Sequence, residues 1–130
     1  DRAVERLAGH PVLYACVNAG GDLRVTGDAP DFVDIRDPAR PREHAHRAPL
    51  THAAAATSAS YFRQGDDEIL HPRHRAAVTT GSSVTVFAHS CMVADALTKV
   101  VLLAGPEISE RVLESYGAAS LVLGTAPVLT

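Results

Sequence analysis

The sequence is poor in the residues that mark a cross-linked or metal-rich protein. Only two cysteines occur among 130 residues, which excludes a disulfide framework, and their spacing is not that of metal ligands. We expect Cys16 and Cys91 to be small buried apolar residues, with a bridge possible only if the fold brings them together. Outside residues 71–75, the histidines form no His-x-x-x-His pair, so a zinc site is not expected.

The charge balance and the hydropathy pattern exclude further classes of partner. A net charge of -3 gives no basic surface of the kind that binds nucleic acid or an anionic membrane. No apolar run reaches the roughly 20 residues that a membrane-spanning helix needs. The hydrophobic fraction of 46% is ordinary for a globular chain. The sequence therefore predicts one globular domain, or part of one, with a core of its own.

Lysine occurs once, at Lys99. The other residues among the 12 lysines and arginines are all arginines. Lys99 lies in SCMVADALTKVVLLAG, residues 90–105, which predicts an apolar helix that begins after Ser90 and stops at Gly105. Asp95 stands one turn before Lys99, so the two side chains can form an i to i+4 ion pair. Alternatively, a carboxylate on so apolar a helix binds a hard cation such as Mg²⁺ or Ca²⁺. The pattern leaves both interpretations open.

The remaining pattern predicts strands first, then a helix pair, then one or two closing strands. A short helix opens the chain, and residues 39–49 are polar and proline-rich, which predicts an exposed loop. Two helices follow Ser90 and Pro106. Strands are predicted over residues 12–19, 23–27, 32–38, 50–60, 68–72, 82–89, 120–124 and 127–130. This order favours the α+β class, with a largely antiparallel sheet.

Three polar stretches could bind a ligand, and each also has a purely structural interpretation. The NAGGD stretch, residues 18–22, could cradle a phosphate, but a strand-to-strand turn with positive φ at a glycine is favoured. The hydroxyls of Thr57 and Ser58 could contact a ligand or bond to local backbone. The HPRHR stretch, residues 71–75, could bind a phosphate or a carboxylate, or be a solvated turn.

Taken in order, these stretches resemble the C-terminal half of FAD:protein FMN transferases of the ApbE type. The matching segments are VNAGGDLRVTG, ATSASYF, ILHPRHRAAV, SSVTVFAHSCMVADAL and SLVL. The resemblance implies that residues 1–130 are the C-terminal portion of such a domain, with the N-terminal half absent from this chain. It further implies a partner, either the missing segment or a second chain, and a target flavoprotein. Members are often exported or membrane-anchored, and a cytoplasmic location stays open.

The resemblance implies FAD as the substrate and Mg²⁺ as the cofactor, for the transfer of FMN to a threonine or serine of the target. The family's metal ligands are an aspartate and the threonine four residues on. Here Asp95 holds the aspartate position, Lys99 holds the threonine position, and Thr98 lies one residue off. Asp95 and Thr98 are therefore the predicted metal ligands. An ammonium at Lys99 could instead neutralise Asp95 and make a metal unnecessary.

The second family motif, His-Ile-x-Asp-Pro-x-Thr-Gly, is largely replaced. Its polar and glycine positions hold Glu68, His71, His74 and Arg75. His71 is the predicted acid or base, and the predicted contacts to the flavin nucleotide are Thr57, Ser58, Arg73 and His74. The sequence thus predicts an FMN transferase homologue with a degenerate active site. The alternative is a scaffold that binds a flavin, a nucleotide or a partner without turnover.

Overall fold

The computed structural model describes residues 1–59, 69–73, 75–78 and 81–124, and these contain three helices and seven strands. None of these helices is long and apolar enough to cross a bilayer. In chain order the elements are α1 (Arg2–Leu7), β1 (Ala15–Ala19), β2 (Asp22–Thr26), β3 (Asp31–Arg36), β4 (His44–Leu50), β5 (Ala54–Ala59), β6 (Ser83–Ala88), α2 (Cys91–Leu103), α3 (Pro106–Ser115) and β7 (Ala119–Leu123).

Five of these strands form one sheet in the order β1–β2–β5–β6–β7, and β3 and β4 form a separate hairpin. Each of these pairings is antiparallel. Gly20 and Gly21 join β1 to β2 with φ angles of 71° and 107°, which glycine adopts readily. Asn18 Oδ1 accepts a hydrogen bond from the Gly21 N–H at 3.0 Å, so NAGGD is the expected turn. The arrangement confirms the predicted α+β class and the helix pair.

The two faces of the five-stranded sheet are covered by different elements. Ala56 of β5 and its partner Val86 of β6 face α2 and belong to a hydrophobic cluster with Leu97. Ala55 of β5 points the other way and packs with Leu50 of the β3–β4 hairpin. Because side chains alternate along a strand, residues that follow one another on β5 serve opposite sides of the sheet.

Helix α2 is anchored at its N-terminus by two separate side chains. Ser90 is the expected N-cap, and its Oγ accepts a hydrogen bond from the Val93 N–H at 3.4 Å. The carboxylate of Asp1 accepts hydrogen bonds from the N–H groups of Cys91 and Met92 at 2.9 and 3.1 Å. These amides have no partner inside the helix, and the helix dipole favours a negative charge at this end. The anchored start fixes where the side chains of the next two turns point.

Two expectations from the sequence are wrong. The loop expected over residues 39–49 contains most of β4, which pairs with β3 along its length. Only Ala48 and Leu50 of β4 are buried, so this hairpin strand lacks the apolar alternation that indicates a strand. Cys16 is exposed and Cys91 is half-buried, and both are free thiols rather than buried apolar residues. Cys16 lies on β1, an edge strand of the sheet.

The strands predicted over residues 68–72, 120–124 and 127–130 have three different outcomes. β7 confirms the strand predicted over residues 120–124. The one predicted over residues 127–130 lies outside the described residues. Where the structure describes it, the strand predicted over residues 68–72 is a single isolated bridge between Leu70 and Ala77. This bridge closes the turn between Leu70 and Ala77, and the turn lies beside α2.

Candidate functional site

A groove of about 550 Å³ lies beside the second half of α2, and we call it the α2 groove. It is lined by His71, Pro72 and Arg73 of the turn, by Lys99, Val100, Leu103 and Ala104 of α2, and by Ile108 of α3. The lining therefore combines basic side chains, from the turn and from Lys99 of α2, with aliphatic side chains of α2 and α3. The volume is in the range of sites that bind small molecules.

The turn that carries His71 and Arg73 is held by hydrogen bonds within its backbone. His71 N donates to Ala76 O at 2.9 Å, and Arg75 N donates to His71 O at 2.8 Å. Arg73 N also donates to Nδ1 of His71 at 3.3 Å. Arg75 has a φ of 52°, in the left-handed region that suits glycine. The family motif quoted above has glycine at this position, and Arg75 stands here in a conformation that suits glycine.

Asp95 and Lys99 form the ion pair that their spacing predicts. Lys99 Nζ donates to Asp95 Oδ1, and the side chains of lysine and aspartate are 40% and 48% exposed. The pair lies on the half-exposed flank of α2, with Lys99 at the wall of the α2 groove. Solvent screening at this exposure limits the contribution of the pair to the stability of the fold.

Thr98 points away from this pair and into the core. Three residues along a helix correspond to a rotation of about 300°, which turns Thr98 from the flank of Asp95 towards β5. Its Oγ1 donates to the Asp95 carbonyl at 2.7 Å and lies 2.8 Å from Ser58 Oγ. Thr98 and Ser58 are both buried. The two predicted site hydroxyls therefore form a hydrogen-bonded pair between α2 and the sheet.

Thr57 lies on the other face of the sheet from its neighbour Ser58. Its Oγ1 is 2.8 Å from Thr85 Oγ1. It lines a second cavity of about 370 Å³ between the sheet and the β3–β4 hairpin, which we call the hairpin cleft. Polar groups of this cleft include Asn18 and Asp31. Alternation along β5 thus separates two hydroxyls that the sequence placed in one binding set.

Asp22 joins Asp95 and Lys99 in a cluster of charges. It lies on the face of β2 that α2 covers, because Arg24, two residues on, pairs with Ala54 on that face. Partial burial raises the pKa of the Asp22 carboxyl, the nearby Asp95 carboxylate raises it further, and the Lys99 ammonium lowers it. The sequence places Asp22 in the NAGGD turn, with a bond to nearby backbone expected, and not in the site, because β2 and α2 are far apart in the chain. Only alternation along β2 could have indicated that it faces α2.

The predicted site residues therefore divide into three groups. His71, Arg73 and Lys99 meet in the α2 groove, and Asp95 lies beside them on the flank of α2 as the partner of Lys99. Ser58 and Thr98 lie in the core, and Thr57 lines the hairpin cleft. His74, predicted to contact the nucleotide, lies outside the described residues. The assigned roles of these residues stay predictions, and among the described residues the α2 groove brings three of them together.

The described residues do not fit the Mg²⁺ site that the family resemblance implies. Within residues 1–59, 69–73, 75–78 and 81–124, no group of three or more His, Cys, Asp or Glu side chains is arranged to hold a metal ion. Asp95 already contacts the Lys99 ammonium. The Thr98 hydroxyl is hydrogen-bonded inside the core. The side-chain oxygens of Asp95 and Thr98 therefore do not point to a common site.

A protein-family model and several solved structures match this chain. A model described as the ApbE family matches residues 1–122. The fold is similar to the apo form of Pseudomonas stutzeri flavinyl transferase ApbE, with 25% identity and a TM-score of 0.70 over 94% of this chain and 40% of that chain. It is also similar to Vibrio cholerae flavin transferase ApbE, with 21% identity and a TM-score of 0.66 over 94% of this chain and 42% of that chain. A point mutant of the Vibrio protein gives 23% identity and a TM-score of 0.68, over 94% of this chain and 39% of that chain.

The lengths differ in all these matches. The chain spans about 40% of the Pseudomonas protein, although nearly all of the chain is matched. No curated protein sequence matches it.

Proposed function

The chain belongs to the ApbE family, and on that premise we propose that it is a divergent flavin transferase homologue that binds FAD in the α2 groove and has a degenerate transfer site. The family match confirms the resemblance seen in the sequence. One observation carries the proposal: the α2 groove places His71, Arg73 and Lys99 against an aliphatic wall. FAD combines an anionic pyrophosphate with apolar rings, and this groove offers a complement to both.

The proposed binding mode follows from the chemistry of the lining. The Arg73 guanidinium is exposed and can donate two parallel hydrogen bonds to a phosphate. The Lys99 ammonium adds a compact positive charge on the α2 side. Val100, Leu103 and Ile108 provide the aliphatic surface against which one ring of the nucleotide can pack. The rest of the dinucleotide extends beyond the groove.

The transfer chemistry is where this chain departs from the family. In the family reaction a hydroxyl oxygen of the target attacks the FMN phosphorus, the bond to AMP breaks, and the hydroxyl proton needs an acceptor. Of the residues in the groove, His71 is the group that could take that proton. His71 itself stands at the family's aspartate position, and the histidine, threonine and glycine positions of the motif hold Glu68, His74 and Arg75, so we expect transfer to be weak or absent.

The same proposal treats residues 1–130 as the C-terminal portion of an ApbE-type domain. Supporting it, the chain matches about 40% of the length of the Pseudomonas flavinyl transferase. The remaining part of the domain would come from a further segment or from a second chain. A flavoprotein with an acceptor threonine or serine would be the target of any residual transfer.

Binding of FAD to the complete protein is the first test, measured by the fluorescence anisotropy of the flavin. We expect saturable binding that weakens about tenfold or more in Arg73→Ala, the loss expected for a hydrogen bond to a charged group. Arg6→Ala is the matched control, because Arg6 is exposed on α1 and outside the groove. Binding that is absent, or that is equal in both variants, would contradict the groove assignment and favour the partner-binding scaffold.

Covalent transfer is tested separately, with a threonine-containing acceptor domain and in-gel flavin fluorescence. We expect no covalent flavin, or only a trace, from a protein that nevertheless binds FAD. Rapid transfer that is lost in His71→Ala would contradict the degenerate site and return the chain to full family activity.

A further inference from the structure

We infer that the Lys99 ammonium takes the place of the divalent cation that the family uses, so that Asp95 binds no metal and the α2 groove receives its anion directly. The part of this inference that concerns the anion rests on the proposed function. The part that concerns the metal rests on the contacts of α2 alone.

The first argument is the contact at Asp95. Lys99 Nζ donates to Asp95 Oδ1, so the carboxylate that would be the main metal ligand already has a cation. A divalent ion bound to the same carboxylate would lie close to the ammonium, and the two positive charges would repel each other. Binding a metal would therefore require Lys99 to swing away and lose its own partner.

The second argument is the missing second ligand. Mg²⁺ needs several oxygens in a near-octahedral arrangement. Thr98, the nearest candidate in sequence, donates its hydroxyl to the Asp95 carbonyl and meets Ser58 inside the core. Reaching a metal on the flank of α2 would break both contacts and leave Ser58 buried without this partner.

The third argument is the charge around the pair. Asp22 lies on the β2 face beneath α2 and interacts electrostatically with both Asp95 and Lys99. Two carboxylates and one ammonium therefore interact here, and the ammonium forms its ion pair with Asp95. If Lys99 were neutral, the two acids would be uncompensated and would attract a divalent cation.

The fourth argument is that Lys99 reaches both the acid and the groove. Its side chain lines the α2 groove and is 40% exposed while it contacts Asp95. An ammonium has three donors, so a ligand in the groove can accept from a donor that Asp95 does not use. A lysine also presents a compact point charge, unlike the planar guanidinium of arginine. This explains why an otherwise arginine-based chain places its single lysine here.

The metal part is tested with Mn²⁺ alone, titrated into the complete protein and followed by electron paramagnetic resonance. The wild type should show no saturable binding that depends on Asp95. Lys99→Thr, which restores the family's Asp-plus-Thr spacing, should bind Mn²⁺ at least about tenfold more tightly, because it removes the repulsion and leaves two carboxylates. The gain should vanish in the double variant Lys99→Thr/Asp95→Asn.

Lys99→Met is the second variant, because methionine keeps the aliphatic stem and the helix propensity but adds no oxygen. It should also gain Mn²⁺ affinity, though less than Lys99→Thr does. Saturable binding by the wild type that disappears in Asp95→Asn would overturn the inference. Affinity in both Lys99 variants equal to that of the wild type would overturn it as well.

The anion part is tested with inorganic pyrophosphate, by calorimetry in EDTA and again in Mg²⁺. We expect binding in EDTA that Mg²⁺ does not strengthen, since Mg²⁺ itself binds pyrophosphate in solution, and a loss of about tenfold in Lys99→Met. Binding that requires Mg²⁺ would overturn the inference while leaving the proposed function intact. No pyrophosphate binding in either buffer would overturn the proposed function and the anion part, and the Mn²⁺ titration would then decide the metal part alone.

Discussion

Replacing Thr98 with valine would show whether its hydroxyl serves the core or a ligand. Thr98 Oγ1 donates to the Asp95 carbonyl at 2.7 Å and lies 2.8 Å from Ser58 Oγ. Valine has nearly the same shape and the same branching at Cβ, so packing and rotamer preference in α2 change little. The substitution therefore removes the hydroxyl and little else.

The expected cost follows from the burial of both partners. In Thr98→Val the Ser58 hydroxyl loses this partner in a closed interior. A hydrogen bond contributes about 0.5–1.5 kcal/mol net, and a buried polar group left unpaired costs about 1–3 kcal/mol. We expect the free energy of unfolding to fall by about 1–2 kcal/mol. Ser58→Ala should cost about 1 kcal/mol or less, because Thr98 keeps its bond to the Asp95 carbonyl.

Urea unfolding followed by circular dichroism is a suitable assay, since the chain has no tryptophan to report by fluorescence. A double-mutant cycle of Thr98→Val and Ser58→Ala should give a coupling of about 1 kcal/mol. Thr51→Val is the control, because Thr51 is exposed between β4 and β5, and it should change stability by less than about 0.5 kcal/mol. Equal stability of Thr98→Val and the wild type would refute the core assignment and leave the hydroxyl available to a ligand.

Arg75→Gly should raise the free energy of unfolding by up to about 1 kcal/mol, because a φ of 52° suits glycine, and urea unfolding would measure it. Arg73→Gly, at a residue without positive φ, should lower it, and equal effects in the two variants would contradict the strain argument. The hydrogen bond from Tyr14 to the Asp31 carboxylate raises the pKa of Tyr14 to about 12 and lowers the pKa of Asp31. Its stabilisation should therefore be present between the ordinary carboxyl and phenol pKa values, and be lost as pH falls through the Asp31 pKa or rises towards about 12. An absorbance titration of the three tyrosines should show one late transition that Tyr14→Phe removes, and an unchanged curve would contradict the bond.

Local patterns in the sequence determined much of the fold. The two glycines of NAGGD require a turn with positive φ, and the hydroxyl of Ser90 is suited to satisfy the free amides at the start of α2. The spacing of Asp95 and Lys99 places them on one flank of a helix, so their ion pair was also predictable. Each of these features depends on residues within about one turn of one another, which is why the sequence alone could indicate them.

The polar hairpin strand shows where such local patterns fail. β4 is a strand because β3 pairs with it, and most of its side chains remain in solvent. Its composition therefore resembles that of a loop, since a strand that buries only Ala48 and Leu50 does not need apolar alternation. Backbone pairing, rather than side-chain pattern, determines this element.

Only the tertiary structure decided which candidate residues meet. The strand pairings of β5 turn Thr57 and Ser58 to opposite faces of the sheet, and the packing of α2 on one face directs Thr98 to Ser58. The same packing brings Asp22 beneath Asp95 and Lys99. It also leaves the α2 groove open between α2 and the turn that carries His71 and Arg73. These contacts join segments that are distant in the chain, and they form because burying apolar area on both faces of the sheet fixes the segments relative to one another.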